Sequence, residues 1–438
     1  MKEENKDTPI EDIPKNWAFL KVGDLIDMGV IENPMDGNHG NIHPKSSDFV
    51  SNGIPFIMAT DIYDGNIDFS NCKYIKKSQA DKLQKGFAKE GDVLLTHKGT
   101  LGRTAIIKNL NISFIMLTPQ VTYYRIKNPK KLLNIFLKYY FDSHAFQSTL
   151  KNHVSSGSTR AYIGILAQKQ LPILLPPLPE QQKIAAILST VDEKIENIDQ
   201  QIEQTESLKK GLMQRLLTRG IGHTRFQSSP LGEIPESWEV KTIKNFAKVT
   251  SSKRIKQSEY VDKGVPFYRS KEIILKAKNE NLEDVVHIPT NRFKELKQKY
   301  GAPKEGDILI TAVGTIGVVY LVKDETFYFK DGNMLWLKDI DASINRKYLS
   351  YFLSSKTFKK IINLTVGGSS QKALTIEKFG ELFVLLPEIS EQQKIASILS
   401  TVDEKLENLH NKKGRYEQLK KGLMQKLLTG KIRVMVGE

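Results

Sequence analysis

Glu180–Thr218 reads EQQKIAAILSTVDEKIENIDQQIEQTESLKKGLMQRLLT, and Glu391–Thr429 reads EQQKIASILSTVDEKLENLHNKKGRYEQLKKGLMQKLLT. Offset by 211 residues, 27 of these 39 positions are identical, so the chain carries an internal duplication. Each copy has the period of a long helix. Ile184, Leu188, Val191, Ile195, Ile198, Ile202 and Thr205 follow one another in steps of four and three. Ile395, Leu399, Val402, Leu406, Leu409, Lys413 and Tyr416 repeat that spacing. A 3.5-residue period is a coiled-coil seam and not a broad globular face. Leu208, Leu212 and Leu216 carry the stripe on at a shifted phase, as do Leu419, Leu423 and Leu427, in the manner of a stutter. Pro179 marks the start of the first helix, and Gly220 or Gly430 follows the last turn. Ser390 is the expected cap of the second helix. At 1.5 Å per residue each helix would be roughly 50–60 Å long. Lys413 in the seam, with Gly414 beside it, predicts a bend, a polar contact or a partner at that place.

A seam has to be buried, and the matching seam lies in the same chain. The approximate symmetry of the repeat favours an antiparallel pair; a homodimeric coiled coil is the alternative. Upstream the duplication is fainter. Ile13-Pro-Lys-Asn-Trp17 returns as Ile234-Pro-Glu-Ser-Trp238, and Gly53-Ile-Pro-Phe56 as Gly264-Val-Pro-Phe267. Gly91-Asp-Val-Leu-Leu-Thr96 returns as Gly306-Asp-Ile-Leu-Ile-Thr311, each followed by a Gly-Thr-x-Gly run that reads as a hairpin turn. Short apolar runs predict strands at 56–58, 93–96, 105–107, 121–126, 308–311, 318–322 and 334–337. Residues 131–150 and 347–362 each have helical spacing. The expected fold is α/β (α+β): two copies of a mixed globular domain joined by two long antiparallel helices in a coiled coil, with pseudo-two-fold symmetry. The expected boundaries are 1–178, 179–220, 221–388 and 389–438.

The 438 residues hold 65 Lys and Arg against 50 Asp and Glu, a net charge of +15, and a single cysteine, Cys72. One cysteine forms no internal disulfide and no Cys/His group has zinc spacing, as expected of a reducing cytoplasm. The amino end lacks an apolar signal region, and no run approaches the ~18 apolar residues of a membrane helix. Basic charge favours a polyanion as partner, nucleic acid above all; a merely Lys-rich surface is the alternative. Between Lys253 and Lys304 there are 13 Lys and Arg against 7 Asp and Glu, so the excess is in part globular.

Two loops hold small and polar residues at matching places, Ser155–Arg160 and Gly367–Lys372. Small residues let backbone approach phosphate, and Arg160, Gln371 and Lys372 would reach phosphates or base edges. An ordinary Ser/Gly turn opening a helix reads as well. Lys98, Arg103, Arg254, Arg269 and Lys271, on turns or strand ends, complete the candidate DNA contacts. Catalytic patterns are sparse. No Walker loop, H-E-x-x-H or G-x-S-x-G occurs. Asn33-Pro-Met-Asp36 lacks the aromatic positions of an amino-methyltransferase motif, and Glu239-Val-Lys241 has no counterpart in the first copy. The residues point to a chain without catalysis or a bound metal.

The order of domain, helix, domain, helix resembles the specificity subunit of type I restriction-modification systems. The resemblance is carried by Leu178-Pro-Glu-Gln-Gln182 with Ile184–Asp192, and by Ser390-Glu-Gln-Gln393 with Ile395–Asp403. Lys209–Leu217 and the link Thr218–Phe226 into Ile234–Trp238 also match, so nearly the whole chain is covered. The resemblance implies two target-recognition domains, each reading one half of a bipartite asymmetric sequence in double-stranded DNA. It implies that the helices set the unread spacer and dock two methyltransferase subunits, with restriction subunits joining. S-adenosylmethionine, ATP and Mg would then reside on those partners, and this chain would bind no cofactor. Two other classes stay open: a self-contained methyltransferase or nuclease, and a coiled-coil assembly protein without DNA readout. Self-association of the isolated chain through its helix faces is also open.

Overall fold

The computed structural model describes residues 13–154, 161–366 and 373–435. The chain divides into two compact units, Met1–Asp199 with Lys412–Glu438, and Gln200–Asn411. The division cuts across both long helices, Leu178–Arg219 and Ile389–Leu427. Each unit therefore contains the beginning of one long helix and the end of the other.

In the first unit, Ala18–Lys21 pairs antiparallel with Pro172–Leu175, which leads directly into the long helix. A five-stranded sheet has the order 49–50, 73–75, 54–57, 115–117, 87–88, with the 54–57 and 115–117 strands parallel. A three-stranded sheet is centred on Val93–Thr96, flanked by Val121–Tyr124 and Thr104–Ile106. Its central strand is buried throughout, as the apolar run predicts. The two helix stretches pair antiparallel: Asp192 meets Lys420 and Asp199 meets Lys413, each at 2.6 Å. Seven residues forward on one helix match seven back on the other. Ile184 and Leu188 join one core with Met424, Leu427 and Leu428, together with Trp17 and Phe136.

The second unit repeats this plan. Glu239–Thr242 pairs antiparallel with Phe383–Leu386 ahead of the second long helix. Its four-stranded sheet runs 248–250, 334–338, 308–311, 319–321, and a three-stranded sheet runs 287–288, 265–268, 328–329. Lys209 meets Asp403 at 2.6 Å, the contact between Lys420 and Asp192 shifted by the repeat. Ile395 and Leu399 share a core with Leu216, Leu217 and Trp238. Burial of each such leucine stabilises by about 1.5–3 kcal/mol.

Most of the seam is buried or half-buried, with Ile195, Val402, Leu406 and Tyr416 half-buried and Leu212 and Leu423 likewise. Leu208 and Leu419 depart from the expected stripe, being 53% and 49% exposed. Near each helix end a globular core joins the start of the other long helix as partner surface, so the buried line moves to Leu216 with Leu217, and to Leu427 with Leu428. Lys413 makes the polar contact, while the helix passes through Gly414 unbroken. Ser390 does not precede the second helix, which starts at Ile389; the Glu388 carbonyl accepts the first bonds, from Glu391 N and Gln392 N.

The helix expected over 131–150 is two, Asn134–Asp142 and His144–Asn152. Ser143 is extended, and its Oγ accepts from Phe146 N at 3.2 Å. Serine competes for backbone donors in this way and so starts a new helix. The break folds Phe146 onto Phe141, ring centres 4.4 Å apart. Ser355 does the same between Arg346–Ser354 and Lys356–Val366, accepting from Phe358 N at 3.1 Å. Among the described residues no helix is long and apolar enough to cross a membrane.

Candidate nucleic-acid interface

The repeated Glu-Gln-Gln at each helix start is an anchor. Glu180, nearly fully buried, accepts from Trp17 Nε1 at 3.1 Å, Arg433 Nε at 2.9 Å and Asn16 Nδ2 at 3.4 Å. Burial pushes its carboxyl up, but hydrogen bonds from Arg433 and Trp17 outweigh it and hold the group below the usual range. Glu391 accepts from Trp238 Nε1 at 3.0 Å and Ile221 N at 2.8 Å, with His223 Nε2 2.9 Å away. Gly220, with φ +63°, fits beside this cluster because a Cβ there would meet the His223 and Trp238 rings. Gln181 accepts from Leu133 N and donates to the Lys131 carbonyl; Gln392 does so with Asn345 N and the Ser343 carbonyl. Sequence reasoning found these motifs as a family mark and missed their role. The Ile-Pro-x-x-Trp run that recurs ahead of each, Ile13–Trp17 and Ile234–Trp238, was the available signal.

Anchored on this frame, each unit presents one equivalent face with different residues. In the first unit a cavity of about 350 Å³ is lined by aromatic rings, including Phe49 and Phe56, with centres 6.1 Å apart. His43 lies 5.5 Å from the Phe56 ring, and Lys98 and Gln120 also line the space. Thr118, only 5% exposed, lines it too, and its Oγ1 has no hydrogen-bond partner. In the second unit Tyr260 and Phe267 form the same ring pair at 5.5 Å.

Matching backbone contacts fix the correspondence. Met58 N and Arg269 N each donate to the carboxylate three residues on, Asp61 and Glu272. Thr118 N donates to the Ile57 carbonyl as Lys330 N does to the Tyr268 carbonyl. Lys45 N and Lys256 N open the same 3₁₀ turn, so His43 and Arg254, two residues earlier, correspond. Met58, Thr118 and His43 in one unit thus answer to Arg269, Lys330 and Arg254 in the other.

The candidate contacts distribute as follows. Lys98 lines the cavity, and its segment bridges to Tyr162 as Val313 does to Ala373. Arg254 and Lys271 are exposed. Arg269 sits at the equivalent face but its guanidinium is bound to Glu272, the closer contact 2.6 Å. Arg103 donates to the Ile62 carbonyl at 3.1 Å and lies 5.7 Å from the Tyr63 ring. Arg160, Gln371 and Lys372 lie outside the described residues. Sequence reasoning missed His43, Phe49, Phe56 and Thr118, since lone aromatic and hydroxyl residues read as core.

Close to the cavity, Asp36 bonds Lys85 at 2.5 Å and His39 at 2.8 Å. Burial raises its carboxyl, yet those two partners together hold it below the usual range. His97 is fully buried, with Nδ1 3.0 Å from the Ile163 carbonyl and Nε2 3.9 Å from Asp36 Oδ2 without a hydrogen bond; burial pushes its pKa down. Among the described residues no group of His, Cys, Asp or Glu is arranged to hold a metal ion.

Residues 14–207 and 235–420 match the family model of the type I restriction modification DNA specificity domain. The chain is 30% identical to a putative type I restriction enzyme MjaX specificity subunit of Methanocaldococcus jannaschii, over 99% of this chain and 98% of the relative. It is 28% identical to a putative type I restriction enzyme specificity subunit, S.HindORF215P, of Haemophilus influenzae, over 84% and 83%. Its fold is shared with the crystal structure of a type I restriction-modification S subunit from M. genitalium (TM-score 0.55, 16% identity, 98% of each chain). A chain solved in work on complex assembly and conformational transition of the type I R-M system aligns at TM-score 0.58 and 15% identity, over 96% of this chain and 100% of that one. Matched in both halves, the chain belongs to the type I restriction modification DNA specificity domain family.

Proposed function

We propose that the chain is the DNA-reading subunit of a type I restriction-modification enzyme, with one half of a two-part, asymmetric target read by each unit. One observation carries this: a frame that repeats at matched backbone contacts presents unlike residues at one equivalent face, His43, Met58 and Thr118 against Arg254, Arg269 and Lys330. Identical frames fix register, and unlike faces read unlike sequences. The paired helices, 42 and 39 residues long, set the number of unread base pairs. Two methyltransferase subunits dock on helix surface that includes Leu208 and Leu419, and restriction subunits complete the nuclease. S-adenosylmethionine, ATP and Mg belong to those partners.

Methylation mapping of the source genome, with and without this gene, tests the reading. Adenine marks are expected in a two-part motif with a fixed gap that vanishes on deletion; marks without a motif overturn it. Leu208→Glu with Leu419→Glu is expected to abolish co-purification of the methyltransferase subunits while the melting temperature stays within a few degrees.

A further inference from the structure

The cavity in the first unit is too large for the edge of a paired base. In the major groove such an edge offers hydrogen-bonding atoms or, at thymine, one methyl group. This cavity measures about 350 Å³, room for more than one methyl group or hydrogen-bonding edge. Of its aromatic lining, Phe56 is buried beneath Phe49 and His43, and the half-exposed Phe49 offers an apolar ring on which a base stacks. Its polar lining has unmet capacity. The Thr118 hydroxyl is buried without a partner, which is costly unless a ligand supplies one. Gln120 adds an amide able both to donate and to accept, and Lys98 adds a cation suited to phosphate.

We propose that this cavity receives one unstacked nucleobase of the DNA target, stacked on Phe49 with its polar edge at Thr118 and Gln120. The proposal rests on the first unit's being a DNA reader and names the part of the DNA it takes. In the second unit the equivalent positions hold Arg254 and Lys330, cations suited to base edges and phosphate within the duplex, and Arg269, which is paired with Glu272. Extrusion therefore belongs to one half of the target only.

The test uses the full chain assembled with its methyltransferase subunits and duplexes carrying the mapped target. Single mismatches are placed in turn at every non-methylated position of the half-target read by the first unit. A base read in the stack is bound less well when mismatched. An extruded base is bound more tightly, because unpairing it costs less. One position is expected to gain affinity on mismatch, and Phe49→Ala is expected to abolish that gain and weaken binding about five- to hundredfold. Thr118→Val, which keeps the shape, is expected to retain the gain but lose preference for which base is extruded. No position gaining on mismatch, or a gain that survives Phe49→Ala, overturns the proposal while the two-part target stands. Absence of any fixed target overturns the DNA-reading function and this proposal with it.

Discussion

The Tyr139 hydroxyl donates to the Asp192 carboxylate at 2.7 Å, and one repeat later Tyr351 donates to Asp403 at 2.6 Å. Each aspartate also holds the lysine of the opposing helix, Lys420 or Lys209. A domain helix, the start of one long helix and the end of the other are thus tied at a single carboxylate in both units. Tyr139→Phe and Tyr351→Phe are each expected to lower stability by about 0.5–1.5 kcal/mol, the usual net worth of such a bond. Having no partner in common, the two changes should add within about 0.5 kcal/mol. Thermal unfolding of the single and double variants measures this.

The lysine at each node adds charge pairing. Lys209→Asp sets two carboxylates against each other, and adding Asp403→Lys restores an opposite pair. Both side chains are about a third exposed, so solvent screens them. The expected coupling in a double-mutant cycle is about 0.2–1 kcal/mol, shrinking with added salt. A larger coupling indifferent to salt would contradict the exposed setting.

Glu180 makes the first unit sensitive to acid. Its carboxyl is held below its unfolded value, so the stabilisation is complete above the ordinary glutamate range and disappears as pH falls through the lower, folded pKa. Glu180→Gln should flatten that acid limb. At neutral pH it should cost about 1–3 kcal/mol, because Arg433 and Trp17 lose a charged acceptor. Unfolding followed from pH 7 downwards compares the two proteins.

Leu188 and Leu399 are fully buried at corresponding places in the two cores. Truncating either to alanine is expected to cost about 2–5 kcal/mol, removing transfer energy and leaving a cavity. Denaturant unfolding with the slope checked for constancy gives the value.

The long helices were legible because a duplicated 3.5-residue period is a strong pattern, and Ile184 and Ile395 sit where it places them. Strands such as Val93–Thr96 were legible from continuous apolar runs between glycines. The breaks at Ser143 and Ser355 were not, since a serine inside a helical period becomes a cap only when the following phenylalanine finds a core. The exposure of Leu208 and Leu419 was hidden for a related reason: periodicity does not say where a globular core joins the partner helix and turns the buried line. At the candidate interface Lys98 was found by charge. The aromatic and hydroxyl lining carried no charge signal, and its meaning appears only when strand ends distant in sequence converge.

Each long helix finishes in the core opposite to the one where it starts: Leu216 and Leu217 complete the second unit, Leu427 and Leu428 the first. A polypeptide ending just past Gly220 would lack the residues that finish its own core, yet would carry their equivalents on its tail. Two such half-length products would complete one another by exchanging tails. The resulting homodimer would hold two identical cores, each finished by the tail of the other chain.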